Sequence, residues 1–277
     1  MTTHDLRARD LTLGYGDADV VSGLDLTVPD GRITVIVGAN ASGKSTLLRG
    51  LARLLSPRRG DVLLDGTPLR DLRSVDVARV VGFLPQSPVA PDGITVADLV
   101  GRGRYPHQGW FRKWNADDDE AVAGALEAMG VADLAGRSLS SLSGGQRQRV
   151  WVAMALAQDT DILLLDEPTT FLDINHQVEL LDLLTDLNRR SGRTIVLVLH
   201  DLNLACRYAD HIVAMKHGRI LAQGPPAGII DEDTVTRVFG LPCVVIPDPL
   251  SGTPMIVARG RHHVAGAGLR EGVSETR

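Results

Sequence analysis

An α/β fold built on a mostly parallel sheet is predicted by three observations on this 277-residue chain. Short, near-continuous apolar runs at 32–37, 162–165, 194–199 and 212–215 have the composition of strands buried on both faces, as parallel strands are. Helical patterns separate these runs, which is how parallel neighbours are connected. A glycine-rich stretch, GANASGKS at 38–45, lies directly between the first run and an amphipathic segment. Aromatics make up only 4 % of the residues against 44 % apolar, so Leu, Val, Ile and Ala must fill the core.

The elements follow in order. Residues 11–13, 20–21 and 24–28 are β-formers set around Gly14-Tyr15-Gly16 and Pro29-Asp30-Gly31, which predicts an N-terminal antiparallel β-region. The strand at 32–37 runs into the glycine-rich loop. Beyond it Leu47, Leu48, Leu51, Leu54 and Leu55 share one helical face, with Ser56-Pro57 as the stop. A strand is expected at 80–84, ended by Pro85-Gln86. From about 90 to 148 the pattern is that of a helical insertion. Thr95 and Asp98 resemble a capping box there. Asn115 with three aspartates opens a helix whose Val122, Ala125, Leu126 and Met129 share a face, and Gly130 ends it. The main domain is expected over 5–258, and the aperiodic Gly, Ala and charged residues of 259–277 are expected to be a disordered tail. There is no internal repeat and no heptad run.

Charge and cysteine usage narrow the classes. Lys and Arg total 29 against 34 for Asp and Glu, and the sequence pI of about 5.9 gives no global attraction to nucleic acid or anionic lipid. Cys206 and Cys243 have neither metal-ligand nor redox spacing and are read as two reduced structural thiols. The first sixteen residues hold no apolar stretch of signal-peptide length, and no segment reaches the roughly 18 apolar residues of a membrane span. A soluble chain is expected, one that works at a membrane only through a protein partner.

Three groups of residues carry chemistry. GANASGKS fits the phosphate-loop pattern and sits in the strand–loop–helix context that pattern requires, which places the fold among the P-loop NTPases. Backbone N–H groups of Gly38, Ala39, Asn40, Ala41, Ser42, Gly43 and the helix start at Thr46 can surround a phosphate. Lys44 can reach the β- and γ-phosphates of a nucleotide, and the Ser45 hydroxyl can join a Mg²⁺ shell. Asp166 and Glu167 end the buried run ILLL, at the edge where an open α/β sheet places its ligand. Adjacent strand residues point oppositely, so Asp166 is the candidate for the Mg²⁺ shell and Glu167 for the group that positions or deprotonates the attacking water. Finally, Ser143-Gly144-Gly145 opens a helix running through Gln146: a hydroxyl and two residues without Cβ let its N–H groups approach an anion closely, though plain capping is the alternative.

The ordered series Tyr15, GANASGKST, Gln86, LSGGQRQR (142–149), ILLLDEP (162–168), FLD (171–173) and His200 resembles the nucleotide-binding subunit of an ATP-binding-cassette transporter, over roughly residues 10–223. The resemblance implies ATP and Mg²⁺ as cofactors. It implies that Tyr15 stacks on adenine, that Gln86 links the metal site to the helical insertion, and that His200 contacts the γ-phosphate and attacking water. It further implies that Ser143, Gly144, Gly145 and Gln146 face the ATP of a second copy, head to tail, with Asp173 crossing between the copies. Three departures stand out. Ala39 and Ala41 occupy positions where the family often has Pro and Gly, and because Ala disfavours positive φ the loop is expected to hold Ala41 in an ordinary conformation. Phe171 replaces a smaller residue in the crossing loop.

Residues 99–114, LVGRGRYPHQGWFRKW, hold four of the chain's ten aromatics, Tyr105, Trp110, Phe111 and Trp114, interleaved with Arg102, Arg104, Arg112 and Lys113. Such interleaving suits single-stranded nucleic acid, helical-insertion packing or a protein interface; the acidic whole argues against the first. In the family this surface, here near 86–114, receives an integral-membrane permease, which would hold the chain on the cytoplasmic side of the membrane, with a substrate-binding protein as an indirect partner. GRGRYPHQ and TTFLDI (169–174) resemble the ferric-siderophore import branch, with haem and cobalamin importers close by. The rivals are a non-transport cassette ATPase, which needs coiled coils or two cassettes, a P-loop kinase, which lacks LSGGQ, and an exporter.

Overall fold

A computed structural model describes residues 3–108 and 114–260. In chain order these form β1 (Leu6–Tyr15), β2 (Ala18–Val28), β3 (Ile33–Gly38), α1 (Lys44–Leu51), β4 (Arg59–Leu64), β5 (Thr67–Pro68), α2 (Ser74–Val80) and β6 (Val81–Leu84). Next come α3 (Val96–Gly101), α4 (Ala116–Ala128), α5 (Gly144–Leu156), β7 (Ile162–Leu165), α6 (Ile174–Ser191), β8 (Thr194–Val198) and α7 (Leu202–Tyr208). The end of the described chain adds β9 (His211–Lys216), β10 (Arg219–Gly224), α8 (Pro226–Ile229), α9 (Glu232–Phe239), β11 (Cys243–Pro247) and β12 (Pro254–Ala258).

The central sheet has six strands in the order β10-β9-β3-β8-β7-β6, parallel except for the edge hairpin of β9 and β10. An antiparallel sheet, β2-β1-β4-β5, contains the predicted N-terminal β-region as β1 and β2 and adds β4 and β5 from beyond α1. Side chains alternate across the central sheet, and this divides the core in two. Val35, Val37, Leu163, Leu165, Ile195 and Leu197 face the helical insertion and α6. Ile36, Ile162, Leu164, Val196 and Val198 face α1 and, through it, the antiparallel sheet. Leu47, Leu48 and Leu51 of α1 are fully buried between the two sheets. Each such leucine contributes about 1.5–3 kcal/mol by leaving water, so the helix behind the glycine-rich loop is firmly anchored.

That helix is shorter than its apolar face predicts. Arg53 N donates to Gly50 O and Leu54 N to Arg49 O, with Arg53 in the left-handed region (φ 59°). This is a Schellman stop made without glycine, and it leaves Leu54 exposed. The expected strand at 80–84 begins one residue late, because Val80 closes α2 and the chain passes directly into β6. In the helical insertion both predicted caps form: Thr95 accepts from Asp98 N, and Asn115 and Asp118 make a reciprocal box. Gly130 ends the second of these helices at φ 60°.

Arg104, one of the basic residues interleaved with aromatics, is not on the surface. It is 4 % exposed, donates to Asp118 at 2.9 Å and to the Ala157 carbonyl, and so ties α4 to the end of α5. Trp110, Phe111, Arg112 and Lys113 lie outside the described residues, as does the tail from 261 onward. Cys206 and Cys243 are buried free thiols, and burial pushes Cys206 up to about 12.

Candidate functional site

The carboxyl ends of four parallel strands meet at one edge of the central sheet, and a cleft of about 510 Å³ opens there. The end of β3 supplies the loop, β6 is followed by Gln86, β7 by Asp166 and Glu167, and β8 by Leu199 and His200. The ladder fixes their relative heights: Leu84 pairs with Leu165 and Leu165 with Leu197, while Asp166 N donates to Leu84 O. Asn40, Ala41, Ser42, Gly43, Lys44, Ser45, Thr46, Gln86, Glu167 and His200 all line the cleft, together with Val20 of β2.

The loop's glycines are steric requirements. A Cβ on Gly38 (φ 155°) would lie 2.3 Å from the Met215 carbonyl oxygen, so no side chain fits between the loop and β9. Gly43 caps α1 at φ 99°. Ala41 departs from the expected ordinary conformation: it takes φ 61°, left-handed, in the turn that brings Ser42 N to Ala39 O. The family's frequent glycine at this position matches the backbone seen here, and alanine bears the strain instead.

Lys44 is 6 % exposed and its Nζ donates to the carbonyls of Gly38 (2.9 Å) and Ala39 (3.1 Å). Burial lowers its pKa, opposed by the charges of Glu167 and Asp166. Asp166 is 1 % exposed; burial raises its pKa, opposed by the hydrogen bond from Ser45 Oγ to its Oδ1 at 2.8 Å. The other carboxylate oxygen, Oδ2, is buried with no hydrogen-bond partner, and so is Ser42 Oγ. Buried polar atoms are rarely left so, and these two mark where a ligand's groups are wanted.

Glu167 is more fully engaged. Its Oε2 accepts from Gln86 Nε2 (2.6 Å) and Thr170 Oγ1 (3.1 Å), and its Oε1 lies 2.7 Å from His200 Nε2. Its backbone is left-handed, φ 53°, a strained conformation of the kind that clusters at functional sites. Thr170 is a site residue that the sequence reading missed. A threonine three residues after Glu167 carries no pattern of its own, and only the turn from Thr170 N to Glu167 O brings the hydroxyl back.

The remaining predicted residues stand apart from this cleft. Tyr15 ends β1 and is 46 % exposed, its hydroxyl accepting weakly from Arg49 Nη1 at 3.3 Å. Ser143 caps α5: Ser143 Oγ accepts from Gln146 N at 3.2 Å and Gln146 Oε1 accepts from Ser143 N at 3.1 Å. Asp173 caps α6, accepting from His176 N (3.0 Å) and His176 Nδ1 (2.6 Å). Ser143, Gly144, Gly145, Gln146 and Asp173 contribute nothing to the walls of the cleft.

A glycine-rich loop wedged between a buried strand and a doubly packed helix, with a carboxylate pair at the next-but-one strand end, defines a P-loop nucleotide-binding domain. Residues 21–170 match the family described as ABC transporter, and the chain belongs to that family as an ATP-binding subunit. It is 53 % identical over 256 residues to the ferric enterobactin transport ATP-binding protein FepC of Escherichia coli (strain K12), covering 92 % of this chain and 94 % of that protein. It is likewise 53 % identical over 256 residues, with the same shares, to the petrobactin import ATP-binding protein FpuD of Bacillus anthracis. Among solved structures, a bacterial ABC transporter cassette in dimeric form superposes with a TM-score of 0.70 at 27 % identity, over 79 % of this chain and 98 % of that one.

Proposed function

We propose that this chain hydrolyses ATP within a head-to-tail dimer and couples that cycle, through a membrane permease, to import of a ferric siderophore. The observation that carries the reading is the division of the anion-binding elements. The cleft is lined by the phosphate loop, Gln86, Glu167 and His200, while the second anion-binding helix start at Ser143 faces elsewhere. One chain thus holds two half-sites, and two copies complete each other's.

The residues fit the cofactors. The β- and γ-phosphates would displace the loop carbonyls from Lys44 Nζ, and N–H groups from Gly38 to Thr46 would cradle them, with Tyr15 free to stack on the base. Among the described residues no cluster of three or more His, Cys, Asp or Glu could hold a metal ion alone. Mg²⁺ does not need one: it is commonly bound by one or two carboxylates plus substrate phosphates and waters. Ser45 Oγ, the orphaned Asp166 Oδ2 and Gln86 would hold it. When bound it would neutralise charge on the phosphate oxygens. Glu167 then positions the attacking water and takes its proton at a carboxylate oxygen. His200, at 2.7 Å, fixes that carboxylate and is placed to meet the γ-phosphate. The partner copy's helix start and crossing loop close the site, through the surfaces that carry Ser143, Gly144, Gly145, Gln146 and Asp173 in this chain.

Near 86–114, Val89, Tyr105 and Trp114 are exposed apolar groups, 91 %, 62 % and 47 % respectively, and are the residues we assign to the permease contact. No helix among the described residues is long and apolar enough to cross a membrane, so attachment at the cytoplasmic face would come from that contact. The cargo reaches a substrate-binding protein and the permease, not this subunit. The cassette is assigned to 5–258.

Two experiments test this reading. Glu167→Gln should leave ATP binding within about twofold, slow hydrolysis by about 10²–10⁴ and trap an ATP-bound dimer. Near-normal turnover would remove Glu167 from its role. Deleting the gene should abolish growth on a ferric siderophore as sole iron source; unchanged uptake in the deletion would overturn the assigned cargo.

A further inference from the structure

The second glycine of the LSGGQ segment has a cause inside its own chain. A Cβ on Gly144 would meet nothing within 4 Å, so that glycine is sterically idle in the free protein. A Cβ on Gly145 would lie 2.6 Å from Cδ2, 2.9 Å from Cγ and 3.1 Å from Nε2 of His176. The imidazole of His176 lies over the bare backbone of the α5 start. Its other side is fixed as well, since Nδ1 is 2.6 Å from Asp173 Oδ1, which also accepts the His176 N–H. Further along the same pair of helices, Arg149 Nη1 of α5 approaches Glu179 Oε2 of α6 at 3.7 Å.

We propose that His176 is a positioning residue that clamps Asp173 to the LSGGQ helix of the same protomer. The two elements offered to the partner's nucleotide would then present themselves as one rigid surface. The inference rests on the head-to-tail reading above and adds a residue that reading does not use. Hydrogen bonds at a half-exposed site contribute little to folding stability, and the His176 side chain is 35 % exposed and that of Asp173 68 %. Their effect is therefore on geometry. Without the clamp, Asp173 and the Ser143 helix start must be ordered separately at the moment of closure, and that ordering is subtracted from dimer affinity.

The test uses the full chain in the Glu167→Gln background, reading ATP-dependent dimerisation by analytical ultracentrifugation and monomer ATP affinity by titration below the dimerisation concentration. His176→Ala should weaken the ATP-bound dimer by about tenfold or more while monomer ATP affinity and Tm stay near the parent's. His176→Asn, which keeps a donor beside Asp173, should restore part of the loss. Gly145→Ala should also weaken the dimer, and less so when His176 is already Ala, because the added methyl then has room. Unchanged dimerisation in His176→Ala, or strictly additive losses in the double variant, would overturn the clamp with the head-to-tail reading intact. A parallel fall in Tm and monomer ATP affinity would make His176 a general packing residue and overturn it too. A parent that binds ATP without dimerising would overturn both.

Discussion

Ala41 shows how much strain one residue of the loop carries. Its φ of 61° is a conformation that costs a non-glycine residue about 1–2 kcal/mol, against the smaller unfolded-state entropy that glycine would add. Ala41→Gly should therefore raise the free energy of unfolding by about 0.5–1 kcal/mol, read from the urea midpoint of the nucleotide-free chain. A lowered midpoint would show that surrounding contacts hold the alanine for another reason. The sequence exposes the alanine at once but not its backbone, because φ at this position is set by the need to bring Ser42 N to Ala39 O while Gly38 passes against Met215.

The turn ahead of α6, proposed above to cross between copies, carries unusual chemistry for a surface turn. Phe171 is 95 % exposed at φ 66°, and Ile174, at the first position of α6, is 79 % exposed. Two large apolar groups flanking Asp173 contribute nothing to the core of a single chain. In an interface, aromatic anchors of this kind carry a large share of the binding energy. Phe171→Ala should leave the monomer's Tm unchanged or slightly higher and weaken ATP-dependent dimerisation by about tenfold or more, measured in the Glu167→Gln background. Equal dimer affinity would leave the loop's aromatic without a role in closure. Legibility differs among such elements for a physical reason. The parallel strands, α4 and its caps were evident because burial on both faces and cap chemistry are local signals. The strands β4, β5, β10, β11 and β12 carry no comparable signal in the sequence. Edge strands such as β10, with its buried and exposed positions mixed, and hairpins closed by prolines, as in β11 and β12, carry weak patterns. The sequence does not separate the buried Arg104 from its basic neighbours, because its partner Asp118 is brought to it only by the packing of α4.

At the scale of the molecule, the C-terminal hairpin braces the helix that follows His200. Asn203 of α7 both accepts from Ile256 N (2.7 Å) and donates to Ile256 O (3.3 Å), and Arg207 pairs with Asp248 at 2.6 Å. The Arg207 guanidinium, with the Leu250 and Ser251 amides, lowers Asp248 from 3.8 to about 2. A carboxylate depressed in the fold contributes stability above its unfolded pKa and loses it as pH falls through the folded one. Asp248→Asn should thus lower Tm at pH 7 and flatten the parent's loss of Tm between pH 3.8 and about 2. An unchanged acid limb would mean the hairpin is held by its apolar face alone. Nothing between 243 and 258 suggested this brace, since its partners lie some forty to fifty residues upstream and meet only in the fold. Glu167 adds a last consequence at this scale. In this chain Gln86 and Thr170 share Oε2 while His200 alone lies against Oε1, which leaves that oxygen acceptor capacity for a water molecule. Because those neighbours follow three different strands, β6, β7 and β8, a shift at any one of these strand ends is felt at the same carboxylate.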